Sequence, residues 1–264
     1  TLTNIIILGN SHEGFGRPAV VLSRSKEKDS HTLELRWQEP HDPLPVRLIR
    51  GAHRSAPATN HLGSPPWIAT GPVGQPFHFC THVRRLLEDI VARTQEFKHI
   101  HVPQLLVGTL QARNGRAHGL QARVTPLRFP HGELQRRRRN AKFQVQRYFL
   151  GDHEFLYVMT FCLPRFQNQD FDDKLITLFH ELYHIGPEFN GDLRRHQGRC
   201  QLHTRSQRHY DKHMAGLARE YLAGHPDPDL HAFLRLDFAQ LLHRHGAVAG
   251  IAVPRPKMIP LQGG

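Results

Sequence analysis

The sequence lacks two features that would point to a membrane or to the cell exterior: long apolar runs and a set of paired cysteines. The apolar run near its start, residues 5–8, is far shorter than the ~18 residues of a membrane span, and it has no basic flank or cleavage site of a signal peptide. The 3 cysteines, Cys80, Cys162 and Cys200, are an odd and widely spaced set. We therefore expect no disulfide framework, no membrane partner and a reducing, cytoplasmic location.

Acidic residues are also scarce, since 23 Asp and Glu stand against 35 Lys and Arg, for a formal charge of +12. A surplus of this size favours polyanions, acidic proteins or acidic surfaces as partners, without choosing among them. Histidine, by contrast, is abundant, with 22 residues. These histidines make the net charge sensitive to pH near neutrality, and they raise the number of histidine pairs expected by chance.

Residues 1–75 have no steady hydrophobic period and are rich in Pro, Gly, Ser, His and Asn, as in HRSAPATNHLGSPP. This composition predicts an irregular or disordered N-terminal arm. One alternating piece of it, HTLELRW, could form a strand. We therefore predict two regions, the arm at 1–75 and one domain at 76–264.

The region after residue 75 combines helical and strand patterns. CTHVRRLLEDIVARTQEF has the apolar spacing of an amphipathic helix. PQLLVGTLQA, HGLQARVTPLRF, KFQVQRYFL and EFLYVMTFCL are typical of strands, the last of them in a central position because it is apolar nearly throughout. Helices are predicted in KLITLFHELYHI, SQRHYDKHMAGLAREYLA and PDLHAFLRLDFAQLLHRHG, and a last strand in AVAGIAVP. This order of elements predicts an α+β fold.

One predicted helix carries His180 and His184, four residues apart, with Glu181 between them. Four residues correspond to ~6 Å of rise and ~40° of rotation on an α-helix, so both imidazoles can reach one ion. Glu181 is near enough to take a proton from water at that ion. Two other His-Glu pairs, at 12–13 and 153–154, have no histidine three residues further on. The helical pattern therefore favours a metal site over two histidines that only pack or face solvent.

The pentapeptide HELYH resembles the active-site helix of zincin metallopeptidases. The wider stretch FCLPRFQNQDFDDKLITLFHELYHIGPEFNGDLRRH is similar to bacterial and phage metallopeptidases that are relatives of the SprT-like minimal zincins, over residues 77–260. The resemblance implies a zincin-like fold, in which a small mixed or antiparallel sheet packs on the active-site helix and further C-terminal helices. It also implies Zn2+ as cofactor, a protein or peptide as substrate, His180 and His184 as metal ligands and Glu181 as general base.

The third zinc ligand is less well specified by the sequence. Metzincins would have Gly and His where this chain has Pro187 and Asn190. SprT-like proteins take their third ligand from a histidine a dozen to two dozen residues past the helix, a window that contains His196 and His203. We favour His203, because it leads into the next helix, whereas His196 lies in a polar, glycine-flanked segment. The alternatives that stay open are Asp192, Cys200, His209, Asp211 and Glu220.

Two functions from different classes of protein follow. The favoured one is a zinc-dependent metallopeptidase, in which metal-activated water attacks the peptide bond and Glu181 is the base. The alternative is a non-enzymatic, basic and histidine-rich interaction module, with no zinc or with a structural zinc bound by a cluster such as His196, Cys200, His203 and His209.

The basic run Arg136, Arg137, Arg138 and Arg139 has two interpretations. It could contact nucleic acid, or it is the solvated tip of a hairpin that resists edge aggregation. No aromatic residue interrupts the run, so stacking on single-stranded bases has no local support in the sequence.

Overall fold

A computed structural model of the chain describes residues 32–51, 68, 70–113, 119–195 and 207–261, with residues 207–211 described by their backbone only. Within these ranges the fold is α+β, which confirms the predicted class. The α-helices are α1 (Phe79–Arg93), α2 (Phe171–Tyr183), α3 (Gln207–Ala223), α4 (Pro228–His231) and α5 (Phe238–His245). Of these helices, none is long and apolar enough to cross a membrane, a search that covers the described residues.

The strands of the same ranges are short. They are β1 (Glu34–Trp37), β2 (Val46–Leu48), β3 (Phe77–His78), β4 (Leu105–Gln111), β5 (Ala122–Pro126), β6 (Gln135–Arg138), β7 (Ala141–Val145), β8 (Arg147–Leu150), β9 (His153–Phe155), β10 (Tyr157–Leu163), β11 (Val248–Ile251) and β12 (Met258–Pro260). They pair in the orders β1–β8–β9, β4–β10–β5, β2–β11–β3 and β12–β7–β6. The sheets are small and of both mixed and antiparallel kinds, as expected.

The β4–β10–β5 sheet supports the candidate site. β10 is buried along its whole length, in agreement with its predicted central position. It runs parallel to β4 and antiparallel to β5, so that Met159 lies opposite Val107 on one side and Val124 on the other. Among the described strands, β5 lies at one edge of this sheet and β4 at the other.

Apolar side chains cover both faces of this sheet. On one face, Val107 and Met159 join the larger hydrophobic cluster, to which α1 and α2 also contribute. On the other face, Leu106 and Val158 join a smaller cluster that contains Trp37 of β1. Successive residues of a strand point to opposite faces, and a sheet covered on both faces needs apolar residues at both. This accounts for the nearly continuous apolar sequence of β10.

The segment KFQVQRYFL was expected to form one strand, and that expectation is wrong. It forms β7 and β8, which belong to different sheets and are separated by Gln146. Gln146 is 2% exposed, and its backbone N–H donates to Lys257 O while its side-chain amide donates to Thr32 O, each at 2.9 Å. The strand therefore changes partners at a buried polar residue.

The predicted single helix over residues 228–246 is also wrong, because α4 passes into a 3-10 turn and α5 starts anew. Asp237 begins α5 with a capping box, in which Gln240 N–H donates to the Asp237 carboxylate at 2.7 Å and Asp237 N–H donates to Gln240 Oε1 at 2.9 Å. A capping box stabilises a helix start. Gly246, in a left-handed conformation, ends α5 where the sequence predicted.

Two strands lie within the predicted N-terminal arm. β1 confirms a strand in HTLELRW and pairs in parallel with β8, while β2 pairs antiparallel with β11. Residues 1–31, 52–67 and 69 of the arm lie outside the described residues. The division between residues 75 and 76 stays a prediction, and these pairings connect part of the arm to sheets of the region that follows.

Gly250 in β11 packs against Thr109 in β4. A Cβ atom at position 250 would lie 2.6 Å from Thr109 Cγ2 and closer to its Oγ1. We expect Gly250→Ala to lower the free energy of unfolding in urea by about 1–3 kcal/mol through overpacking. Gly216→Ala in α3 is the control, because nothing lies within 4 Å of a Cβ there, and it should raise stability by about 0.5–1 kcal/mol. Equal stability of Gly250→Ala and the parent would contradict this packing.

Candidate active site

The helix α2 carries the predicted metal motif on its last turn. Asp172 and Asp173 lie in its first turn, where the helix dipole favours negative charge. His184 is its C-terminal cap, and the His184 N–H donates to His180 O at 3.2 Å. The two histidines therefore belong to one helical turn.

Apolar and polar contacts fix the rotation of α2 about its axis. Phe179 and Leu182 are fully buried in the larger hydrophobic cluster. Lys174, 2% exposed, donates from Nζ to the carbonyl oxygens of Leu234 and Leu236, each at 2.8 Å. These are carbonyls at the interruption between α4 and α5, so that interruption helps to orient the motif helix.

The structure brings His180 and His184 together. Their Nε2 atoms lie 2.9 Å apart. The ring centroids are separated by 4.6 Å and the ring planes cross at 78°. Because the two Nε2 atoms approach each other, the imidazoles converge on one point beside the helix.

Glu181 lies on the buried side of the same turn, with 7% of its surface exposed. Its Oε2 accepts a hydrogen bond from the backbone N–H of Val124, at 2.7 Å. Burial raises the pKa of the Glu181 carboxyl to about 7, although the Val124 hydrogen bond and the charge of Arg123 act in the opposite direction. The edge strand β5 therefore holds the carboxylate in place.

The chain folds back on α2 directly after the motif. Gly186 N–H donates to Asp192 O at 3.1 Å, and Arg194 N–H donates to His184 O at 2.7 Å. A Cβ atom at position 186 would lie 2.8 Å from Asp192 O, so this approach requires glycine. Residues 186–194 thus form a fixed loop beside the histidines.

Asp192, one of the alternative ligands, is engaged in holding this loop. Its carboxylate accepts hydrogen bonds from the N–H groups of His131 and Leu193, each at 2.8 Å, and from the guanidinium of Arg195 at 3.0 and 3.1 Å. Burial by itself would raise the pKa of Asp192, but these hydrogen bonds outweigh it and leave the pKa below its ordinary value. Both oxygens are therefore already used.

Of the other candidate ligands, the structure describes the side chain of Glu220 alone. Glu220 is exposed on α3, where it lines a shallow cavity of about 380 Å³. His196, Cys200 and His203 lie outside the described residues, as do the side chains of His209 and Asp211. In the described part of the chain, no group of three or more His, Cys, Asp or Glu side chains could hold a metal ion. The described centre is thus the histidine pair with Glu181 beside it.

Several neighbours of the centre were not singled out from the sequence. The Arg194 guanidinium lies 4.0 Å from the centroid of the Tyr183 ring and forms an ion pair with Glu96 at 3.2 Å. Tyr183 and Arg194 help to line a cavity of about 500 Å³ at the end of α2. The Val124 contact is made by a backbone N–H, which leaves no sign in the residue type.

Comparison with known proteins identifies the family of the chain. A family model described as "Putative phage metallopeptidase" matches residues 77–209, about half of the chain. The chain belongs to this phage metallopeptidase family, whose description indicates metallopeptidase activity and hence a metal cofactor and peptide substrates. No curated protein and no solved structure matches the chain.

The buried Lys174 predicts a pH dependence of stability. Burial lowers its pKa from 10.5 to about 8, so above pH 8 this lysine is protonated more in the unfolded chain than in the folded one. Stability from this group should therefore rise between about pH 8 and 10. We expect the free energy of unfolding in urea to rise by about 2 kcal/mol more in the parent than in Lys174→Met between these pH values. Lys98→Met, at an exposed lysine, should behave as the parent; a Lys174→Met variant with the parent's pH dependence would refute the assignment.

Proposed function

We propose that this protein is a zinc-dependent metallopeptidase, related to the SprT-like minimal zincins, with His180 and His184 as ligands and Glu181 as general base. One observation carries the proposal: the two Nε2 atoms converge to 2.9 Å on the turn whose buried glutamate is held by a backbone N–H of β5. Membership of the phage metallopeptidase family supports peptide-bond hydrolysis as the reaction.

The donor set suits zinc. Imidazole nitrogens are common zinc ligands, and two of them at ~2.1 Å from one ion and at the tetrahedral angle are about 3.4 Å apart. The Nε2 separation of 2.9 Å needs only a small opening to reach this value. Bound zinc would supply a Lewis acid that polarises the scissile carbonyl and lowers the pKa of water.

We assign the third ligand to His203. The carboxylate of Asp192 already accepts four hydrogen bonds, from the N–H groups of His131 and Leu193 and from two nitrogens of Arg195, which makes it the weaker alternative. His196 and Cys200 remain alternatives from the same stretch as His203, and His209, Asp211 and Glu220 from α3. The zinc content and casein hydrolysis of variants at these positions distinguish the candidate ligands.

Glu181 moves the proton in this mechanism. Because the Val124 N–H holds Oε2, Oε1 is the oxygen that accepts a proton from the attacking water. The same carboxyl then donates that proton to the leaving amine nitrogen.

The position of β5 favours an extended peptide as substrate. Among the described strands, β5 lies at an edge of its sheet, and the N–H of Val124 donates to Glu181. The edge of a sheet offers backbone groups with which a peptide in strand conformation can pair. A substrate aligned along β5 would present its peptide bonds beside Glu181.

Glu181→Gln tests the assignment of the base. It keeps the size of the side chain and its bond to Val124 but cannot accept the proton, so hydrolysis of a labelled casein should fall by about a hundredfold or more. Zinc content, measured on the same preparation, should stay near the parent's value. Glu88→Gln, at an exposed glutamate of α1, is the matched control and should retain full activity. Casein hydrolysis by Glu181→Gln at the parent's rate would refute the mechanism.

His203→Ala tests the third ligand and the role of the metal. We expect lower zinc content and loss of casein hydrolysis, with the far-ultraviolet circular dichroism of the parent, because a catalytic zinc binds to a scaffold that is already folded. His243→Ala, at an exposed histidine of α5, should keep both zinc and activity. Unfolding on removal of zinc would instead identify a structural site, and full zinc and activity in His203→Ala would move the assignment to another residue.

A further inference from the structure

We propose that the β6–β7–β12 sheet binds single-stranded nucleic acid. The binding surface consists of Arg136, Arg138, Phe129, Phe143 and Met258, and we call it the arginine–phenylalanine surface. It is separate from the proposed metal centre and does not depend on peptidase activity.

The arginines of this surface have no acidic partners within the described part of the chain. Arg136, Arg137, Arg138 and Arg139 are all exposed, and no ion pair found among described residues involves them. Elsewhere, buried or half-buried arginines such as Arg128 and Arg147 pair with Glu154 at 2.7 Å. The four charges of the hairpin are thus available to an anionic ligand.

Strand pairing places aromatic and cationic side chains on one face. Arg136 lies directly opposite Phe143, and Arg138 lies opposite Ala141. Met258 of β12 lies opposite Val145 on the other side of β7. Since residues two apart along a strand share a face, Arg136, Arg138, Phe143 and Met258 all project from the same side of the sheet.

These side chains line a cavity of about 600 Å³, together with Phe129, Arg137 and Arg139. Phe129 and Phe143 are half-buried, and Met258 is 56% exposed. None of the three belongs to either hydrophobic cluster of the described residues. They form an apolar floor of this cavity that is not part of the hydrophobic core.

An apolar floor with arginines around it fits single-stranded nucleic acid better than other polyanions. Guanidinium groups bind phosphates, and unpaired bases stack on aromatic rings and on guanidinium planes. In a duplex the bases are already stacked on one another, so their faces cannot reach the phenylalanines. An acidic peptide would use the arginines and leave the apolar floor without a ligand.

Fluorescence anisotropy with a labelled oligothymidylate tests the proposal on the full chain. Arg136→Gln/Arg138→Gln should weaken binding about tenfold or more and reduce the slope of log affinity against log salt by about 1.4, because each phosphate contact on a single strand contributes about 0.7. Phe143→Leu, which keeps the apolar volume and the charge, should weaken binding about fivefold or more by removing base stacking. The salt slope of Phe143→Leu should equal the parent's.

Arg84→Gln/Arg85→Gln is the matched control, since it removes two exposed arginines from α1, and it should bind like the parent. Glu181→Gln should also bind like the parent, whether or not it hydrolyses casein. The proposal is overturned if Arg136→Gln/Arg138→Gln binds as tightly as the α1 control. It is also overturned if Phe143→Leu binds as tightly as the parent, or if polyglutamate or duplex DNA competes as well as unlabelled oligothymidylate, because the surface is then a general anion site.

Discussion

The packing of α2 on the β4–β10–β5 sheet places a carboxylate and an ammonium group in the interior, and each needs a partner there. Glu181 takes the N–H of Val124 from the edge strand, and Lys174 takes the carbonyls of Leu234 and Leu236. Buried polar groups are costly unless they are hydrogen-bonded. Strand β5 on one side and the interruption between α4 and α5 on the other therefore determine the rotation of α2 about its axis. This rotation sets the direction in which the two imidazoles point.

Sequence patterns predicted the elements of this arrangement where burial alone decides them. α1, α2 and α3 carry apolar residues at helical spacing, β10 is apolar nearly throughout, and each occurs where it was expected. The patterns failed at Gln146 and at Asp237, where apolar residues occur on both sides of a polar residue that redirects the backbone. The hydrogen bonds of Gln146 join residues distant in sequence and leave no periodic signal. The Asp237–Gln240 capping box is local, but it does not alter the apolar spacing on which the helix prediction was based.

The candidate site also has one part that the sequence could predict and another part that it could not. The spacing of His180 and His184 on a helix is enough to predict that their rings meet, because both lie on one rigid element. The contact between Glu181 and Val124 depends on how the sheet is ordered, and the role of Asp192 depends on a loop that turns back on the helix. Neither could be predicted from spacing. The proposed third ligand likewise comes from a long connection after α2, where spacing in sequence does not fix geometry.

The arginine–phenylalanine surface likewise combines residues that are distant in sequence and are brought together by strand pairing. The run at 136–139 contains no aromatic residue, which argued against base stacking, yet β7 sets Phe143 opposite Arg136. Phe129 lines the same cavity, and two residues later His131 donates its N–H to Asp192 in the loop after the histidines. Residues 129–131 thus connect the arginine–phenylalanine surface to the cavity at the end of α2, which His131 helps to line. A nucleic-acid strand bound on the arginines and a peptide bound near α2 would therefore contact opposite ends of this short segment.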